Sequence, residues 1–237
     1  TKPFFAVIQT ADNHRPYSIP AEDKNEFKLL TYSADSLKRF GFESNEEMNA
    51  FRYTDFSYQK FMEAAKKEPY FKNTIFVFVG DHGIRYNGSL EYFPKSWTEQ
   101  GLTCEHVPLL FYAPALLKPQ RVHNVCSQID ILPSIASLAK IPYMNNSLGR
   151  NLFDTVAYAQ VLGHDEIIPR LPKYTAFVID HDLHTIGIVN NQYYYLKNLK
   201  TGKDDLVSSI GNNPVKESAE TDSVKNYLQQ LTDAYYE

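Results

Sequence analysis

The sequence lacks several features that define whole classes of proteins. Its 237 residues contain no run of about 18 apolar residues, so no membrane-spanning helix is predicted. They contain 24 Lys and Arg against 28 Asp and Glu, and this net charge of -4 argues against nucleic acid as a partner. The two cysteines, Cys104 and Cys126, could form one disulfide, but free, partly buried thiols are the expectation we favour, since buried cysteine is common.

The composition is that of a folded domain. Apolar residues make up 43% of the chain, which is enough for a sizeable core and argues against disorder. The chain opens Thr1-Lys2-Pro3 and enters an apolar segment at once, so we expect no signal peptide within these residues. We therefore expect the 237 residues to be a fragment or a processed product.

Apolar runs alternate with helical patterns along the first two thirds of the chain. Buried strands are predicted at 4–8, 74–79 and 107–112, and helices at 46–67 and 127–138. Because this order is typical of strands joined by helical crossovers, we expect an α/β fold with a mostly parallel sheet flanked by helices.

The pattern changes at about residue 173. Short strands are predicted at 174–179, 184–190 and 192–199, with a tight turn at Asn190-Asn191 and a final helix at 222–236. We therefore divide the chain into an α/β part, residues 1–157, and a small C-terminal antiparallel α+β subdomain, residues 158–237, packed on the same domain.

The motif Gly80-Asp81-His82-Gly83 follows the strongest strand prediction. A carboxylate and an imidazole at the end of a strand are ligands that suit zinc or manganese. The flanking glycines allow a tight turn and a close approach of the backbone to an ion. The alternative is a turn in which Asp81 caps the next segment.

Two further histidines are candidates for contacts with an anionic group. His14 lies in the polar loop after the first predicted strand, where open α/β sheets bind their ligands. His106 directly precedes the strand at 107–112. The alternatives are a surface histidine at His14 and a structural histidine at a strand boundary at His106.

Five segments occur in a recognisable order: 3–17, 73–83, 106–114, 127–133 and 148–153. Together they resemble the sulfatase-like part of the alkaline phosphatase superfamily, over residues 1 to about 155. The Gly-Asp-His-Gly motif and the absence of cysteines near the start are most similar to the lipoteichoic acid synthase and phosphoglycerol transferase branch. The phosphoethanolamine transferases are close relatives of that branch.

The resemblance implies an alkaline phosphatase-like fold and a metal-dependent phosphotransferase. Asp81 and His82 would bind one divalent metal, manganese or zinc, with magnesium as an alternative and calcium less favoured. His14 and His106 would contact the substrate, a phospholipid head group or another phosphate or sulfate ester.

The same resemblance places the other catalytic groups upstream of the first predicted strand. A threonine nucleophile and an acidic metal ligand would lie in a missing N-terminal half of the domain, which is thus the expected partner of this chain. The intact protein would work outside the cytoplasm, at the outer face of the membrane or in the periplasm, anchored by upstream segments.

Two other functions compete with phosphoryl transfer. The first is hydrolysis of a sulfate ester or phosphodiester on the same scaffold, which differs only in that water attacks the intermediate. True sulfatases carry a lysine and a histidine after the metal strand, and Arg85, Lys95 and His106 do not clearly fit that pattern. The second is a binding module that keeps the fold without the chemistry.

Overall fold

The computed structural model describes residues 2–86, 92–153 and 175–236. The helices in these ranges are α1 Ala34–Phe40, α2 Asn45–Ala65, α3 Lys95–Thr98, α4 Leu102–Glu105, α5 Ile131–Ala139 and α6 Ala219–Tyr236. The strands are β1 Phe76–Val79, β2 Leu109–Tyr112, β3 Thr175–Asp180, β4 Thr185–Asn190, β5 Tyr193–Asn198 and β6 Asp204–Ser208. None of the described helices has both the length and the apolar character needed to cross a bilayer.

The chain divides into two compact units. The first runs to Thr74 and takes in short stretches at Arg85 and at Ala113–Ala115, and the second contains the other described residues. The boundary predicted between residues 157 and 158 lies outside the described residues, so it stays a prediction.

The helix predicted at 46–67 is confirmed as α2, in the first unit. Ser44 caps it, because the Ser44 hydroxyl accepts the backbone N–H of Glu47 at 3.1 Å. On the inner face of α2, Ala50 and Tyr53 are buried, and the Tyr53 ring packs edge-on against Phe27. The helix is thus fixed against the chain that precedes it.

The strands predicted at 74–79 and 107–112 are present as β1 and β2, but they do not run parallel. They pair antiparallel, with Phe76 opposite Tyr112 and Val79 opposite Leu109. Parallel strands are usually joined by a helical crossover, and the described helices of this connection, α3 and α4, have only four residues each. All strand pairs within the described residues are antiparallel, so the expected parallel sheet is not seen there.

The segment Phe4–Ile8, predicted as a buried strand, is not a strand in the structure. Its apolar side chains lie in solvent, with Phe5 72% and Val7 80% exposed, although the Phe4 ring contacts Tyr70 edge-on. A strand exists only where a neighbour accepts and donates its backbone hydrogen bonds. No described segment forms a ladder with residues 4–8.

The antiparallel sheet predicted for the C-terminal part is confirmed, with β3, β4, β5 and β6 in sequential order. Strand β6 was not predicted from the sequence. Adjacent residues of β5 point to opposite faces of the sheet. Tyr195 packs with Leu228 of α6 on one face, and Tyr194 packs with Leu102 of α4 on the other. The sheet is therefore covered on both faces. The face with Tyr194 packs against α4, the helix that precedes β2.

Candidate functional site

The Gly80–Gly83 loop leaves β1 and is held by backbone hydrogen bonds on both sides. The Gly80 N–H donates to the carbonyl of Pro108 at 3.3 Å, and the Gly83 N–H donates to the carbonyl of Cys104 at 2.6 Å. At Gly83, a Cβ atom would lie 2.0 Å from the Thr103 carbonyl oxygen. Only glycine permits this close approach of the loop to α4.

Asp81 and His82 present their side chains to solvent at the end of this loop, 83% and 64% exposed. The Asp81 Oδ1 accepts the backbone N–H of His82 at 3.0 Å. The His82 Nδ1 lies 2.8 Å from the carbonyl oxygen of Gly83. Because a carbonyl only accepts, Nδ1 carries the proton and Nε2 keeps its lone pair in the neutral imidazole.

This pair fits part of a divalent-metal site. Metal-binding histidines commonly donate one ring N–H to a carbonyl and bind the ion through the other nitrogen, as His82 is arranged to do. The His82 Nε2 and the Asp81 Oδ2 are 4.0 Å apart. Two tetrahedral zinc ligands lie about 3.4 Å apart, so a small side-chain rotation brings both onto one ion. No cluster of three or more ligand-type residues occurs among the described residues, and the pair supplies only two ligands.

Gln128 holds the main chain of the same loop. Its side-chain amide Nε2 donates to the carbonyl of Gly80 at 2.7 Å and to the carbonyl of Asp81 at 2.8 Å. Gln128 opens the 3-10 turn Gln128–Asp130, which continues into α5, so the helix predicted at 127–138 is confirmed.

The turn that carries Gln128 is fixed by a buried ion pair. The Asp130 carboxylate is fully buried, and the Arg150 guanidinium donates to both its oxygens, at 2.9 and 3.2 Å. The backbone N–H groups of Arg150 and Ser127 also donate to this carboxylate, at 2.7 and 2.9 Å. The close approach of Gly149 to the Ile129 carbonyl, where a Cβ would lie 2.0 Å away, completes the contact between the two segments.

His106 ends α4, and its carbonyl lies beside Gly83. Its ring packs edge-on against Trp97 at 4.8 Å, and the Trp97 indole N–H donates to the carbonyl of Ser209 at 2.8 Å. Desolvation lowers the pKa of the His106 imidazole, so it stays neutral to a lower pH than a free histidine. The predicted substrate contact of His106 stays a prediction.

His14 lies in the first unit, on a loop anchored by its neighbours. The Arg15 guanidinium donates to Glu43 at 2.6 Å, and the Tyr17 hydroxyl donates to Glu47 at 3.2 Å. The Asn13 side chain accepts the hydroxyl of Thr54 on α2. The His14 side chain is exposed between these anchors, and its predicted substrate contact also stays a prediction.

Cys104 and Cys126 are both partly buried thiols, as expected. Burial raises the pKa of the Cys126 thiol, so the thiolate form is disfavoured.

Comparison with solved structures identifies the class of fold. The chain superposes on a 2-O GAG sulfatase, BT1596, with a TM-score of 0.51 and 18% identity, over 86% of this chain and 46% of that one. It therefore has the fold of the sulfatases. The Sulfatase family profile matches residues 1–141, more than half of the chain, and the protein belongs to this family. The resemblance inferred from the sequence motifs is confirmed.

Relatives of known name fall into two groups. Arylsulfatase K of Gallus gallus is 30% identical over 148 residues, 60% of this chain and 26% of its own length. Lipoteichoic acid synthase 1 of Bacillus subtilis (strain 168) is 28% identical over 220 residues, 87% of this chain and 32% of its own length. The chain thus spans about a quarter to a third of the length of these relatives.

Sequence reasoning gave no role to Gln128 or Trp97. The capping-box spacing of Ser127 and Asp130 predicts a helix start and so places Gln128 in a first turn. Its contact with Gly80, 48 positions away, carries no local signal in the sequence.

We predict that Gly83→Ala disrupts the loop, because the added methyl collides with the Thr103 backbone, which has no flexible end to move. Unfolding should occur at lower urea concentration, and the affinity for zinc in calorimetric titration should fall. Gly211→Ala is the matched control, since a Cβ there meets nothing within 4 Å. Equal behaviour of the two variants would contradict the packing described for Gly83.

We predict that Arg150→Met lowers the free energy of unfolding by about 3–5 kcal/mol, because it leaves the buried Asp130 carboxylate unpaired. Urea unfolding measures the change. Arg121→Met removes an exposed arginine and should change stability by less than about 0.5 kcal/mol. A loss at position 150 no larger than that of the control would show that the ion pair is not needed.

Proposed function

We propose that the intact protein catalyses metal-dependent transfer of a phosphoryl group of the phosphoglycerol or phosphoethanolamine type. The observation that carries this choice is the extent of similarity. The match to lipoteichoic acid synthase 1 covers 87% of the chain, whereas the match to arylsulfatase K covers 60%. A match of 220 residues must include part of the C-terminal antiparallel sheet. This sheet packs against Leu102 of α4, the helix that ends at His106.

In this proposal Asp81 and His82 are two of the metal ligands, through a carboxylate oxygen and Nε2. A divalent metal bound there would activate a nucleophile and neutralise charge on the phosphate. The Gly83 carbonyl favours the tautomer of neutral His82 that carries its proton on Nδ1 and keeps the Nε2 lone pair for an ion. Manganese and zinc suit this oxygen and nitrogen pair best. The threonine nucleophile and further ligands belong to a part of the protein outside these 237 residues.

We assign His14 a contact with the substrate phosphate. Its neighbours Asn13, Arg15 and Tyr17 all engage α2 or the turn before it. The exposed imidazole is therefore held on an ordered loop and can donate a hydrogen bond to a phosphate oxygen. We assign His106 a second, weaker contact with the substrate.

The exposed apolar segment at residues 4–8 supports a partner. Phe5, Val7 and Ile8 are each more than 70% exposed, and consecutive apolar side chains in water mark a surface that is covered in the native assembly. We infer that another part of the same domain covers it and supplies the nucleophile. The relatives are three to four times as long as the matched region. This length leaves room for such a part and for a membrane anchor, and we propose that the anchored domain works outside the cytoplasm.

Hydrolysis of a sulfate ester is the second candidate. The 30% identity to arylsulfatase K and the fold shared with a 2-O GAG sulfatase favour it. The two functions differ in the group transferred and in the acceptor.

We predict that the purified full-length protein releases diacylglycerol from phosphatidylglycerol or phosphatidylethanolamine in a manganese-dependent reaction, and leaves an aryl sulfate ester intact. Chromatography of the lipid products and absorbance of the released phenol measure the two reactions in parallel. Aryl sulfate turnover without lipid turnover would replace phosphoryl transfer by sulfate-ester hydrolysis.

We predict that the full-length protein retains a stoichiometric divalent metal after dialysis, and that Asp81→Ala and His82→Ala each lose it, because each removes one ligand. Elemental analysis and calorimetric titration with manganese and zinc measure content and affinity. His181→Ala removes an exposed histidine from the turn between β3 and β4 and should keep the metal. Equal metal content in all four proteins would leave a non-catalytic binding module as the better account.

A further inference from the structure

The Gln128 side chain donates hydrogen bonds to two successive carbonyls of the Gly80–Gly83 loop, the metal loop of the proposed site. Both N–H groups of its amide are used, one on Gly80 and one on Asp81, at 2.7 and 2.8 Å. These carbonyls flank the Cα of Asp81, so the amide fixes the orientation of the peptide units on either side of that residue. The direction of the Asp81 side chain follows from this orientation.

The 3-10 turn that carries Gln128 is held by a buried hydrogen-bond network around Asp130. Gln128 lies between Ser127 and Asp130, which cap one another reciprocally in the 3-10 turn. Asp130 is buried and receives four hydrogen bonds, two from the Arg150 guanidinium and two from backbone N–H groups. The turn cannot move without breaking this buried network, and the Gln128 amide is therefore presented to the loop at a fixed position.

We propose that Gln128 is a positioning residue for the metal site, holding Asp81 and His82 in the geometry that binds the ion. This inference rests on the metal site proposed above. In this proposal Gln128 acts through its amide nitrogen, which donates to both carbonyls. It acts on the backbone of the ligands, as outer groups around metal sites commonly do.

The test uses Gln128→Met in the full-length protein. Methionine keeps a similar length and has neither an N–H donor nor a charge that would itself attract or repel the ion. We expect the affinity for zinc and manganese, measured by calorimetric titration, to fall by about 10–100-fold, as for other outer-shell partners of metal ligands. Gln230→Met, at an exposed position on α6, is the control and should keep the affinity of the wild type.

Two further readouts separate positioning from general stability. Without metal, the melting temperature of Gln128→Met should match that of the wild type, because Gln128 is exposed, while the rise in melting temperature on adding zinc should shrink. Backbone amides of residues 80–83 should exchange hydrogen faster in the variant without metal. A lower melting temperature without metal, with unchanged metal affinity, would make Gln128 merely structural and overturn the proposal.

The outcomes also distinguish this proposal from the proposed function. If the wild type binds no metal, the proposed function fails, and with it the role of Gln128 at a metal site. If the wild type binds metal and Gln128→Met binds it equally well, the metal site stands and the positioning role of Gln128 is refuted.

Discussion

The buried pairing of Asp130 with Arg150 is the interaction on which the candidate site depends. A buried carboxylate is tolerated only when its oxygens are fully hydrogen-bonded and its charge is matched, and Asp130 meets both conditions. The pair joins two segments 20 positions apart and fixes the 3-10 turn from which Gln128 reaches the loop of Asp81 and His82. The backbone that carries the exposed side chains of Asp81 and His82 is thus held by a turn whose own charge pair is shielded from solvent.

A second support comes from the C-terminal sheet. Its face away from α6 packs on Leu102, and the carbonyl of Ser209 accepts the indole N–H of Trp97, whose ring lies against His106. The backbone of α4 in turn abuts Gly83. The C-terminal antiparallel sheet is therefore part of the frame that holds the Gly80–Gly83 loop at Gly83, whereas Gln128 holds the carbonyls of Gly80 and Asp81.

Local patterns predicted much of the fold, and long-range geometry could not be predicted. Helix α2 and strands β3 to β5 were predictable because their apolar periods and caps lie within a few residues. The antiparallel pairing of β1 with β2 and the exposure of residues 4–8 depend on which segments lie side by side, which no local pattern encodes. At the site, the motif Asp81-His82 was recognisable, whereas Gln128 acts through contacts 47 and 48 positions away.

We expect this framework to present Asp81 and His82 jointly to one ion. Anomalous diffraction at the zinc edge, from crystals of the full-length protein soaked in zinc, locates that ion. We predict a peak about 2.0–2.2 Å from a carboxylate oxygen of Asp81 and from the Nε2 of His82, with Nδ1 still donating to Gly83. A fully occupied zinc ion bound elsewhere, with neither side chain as a ligand, would contradict it.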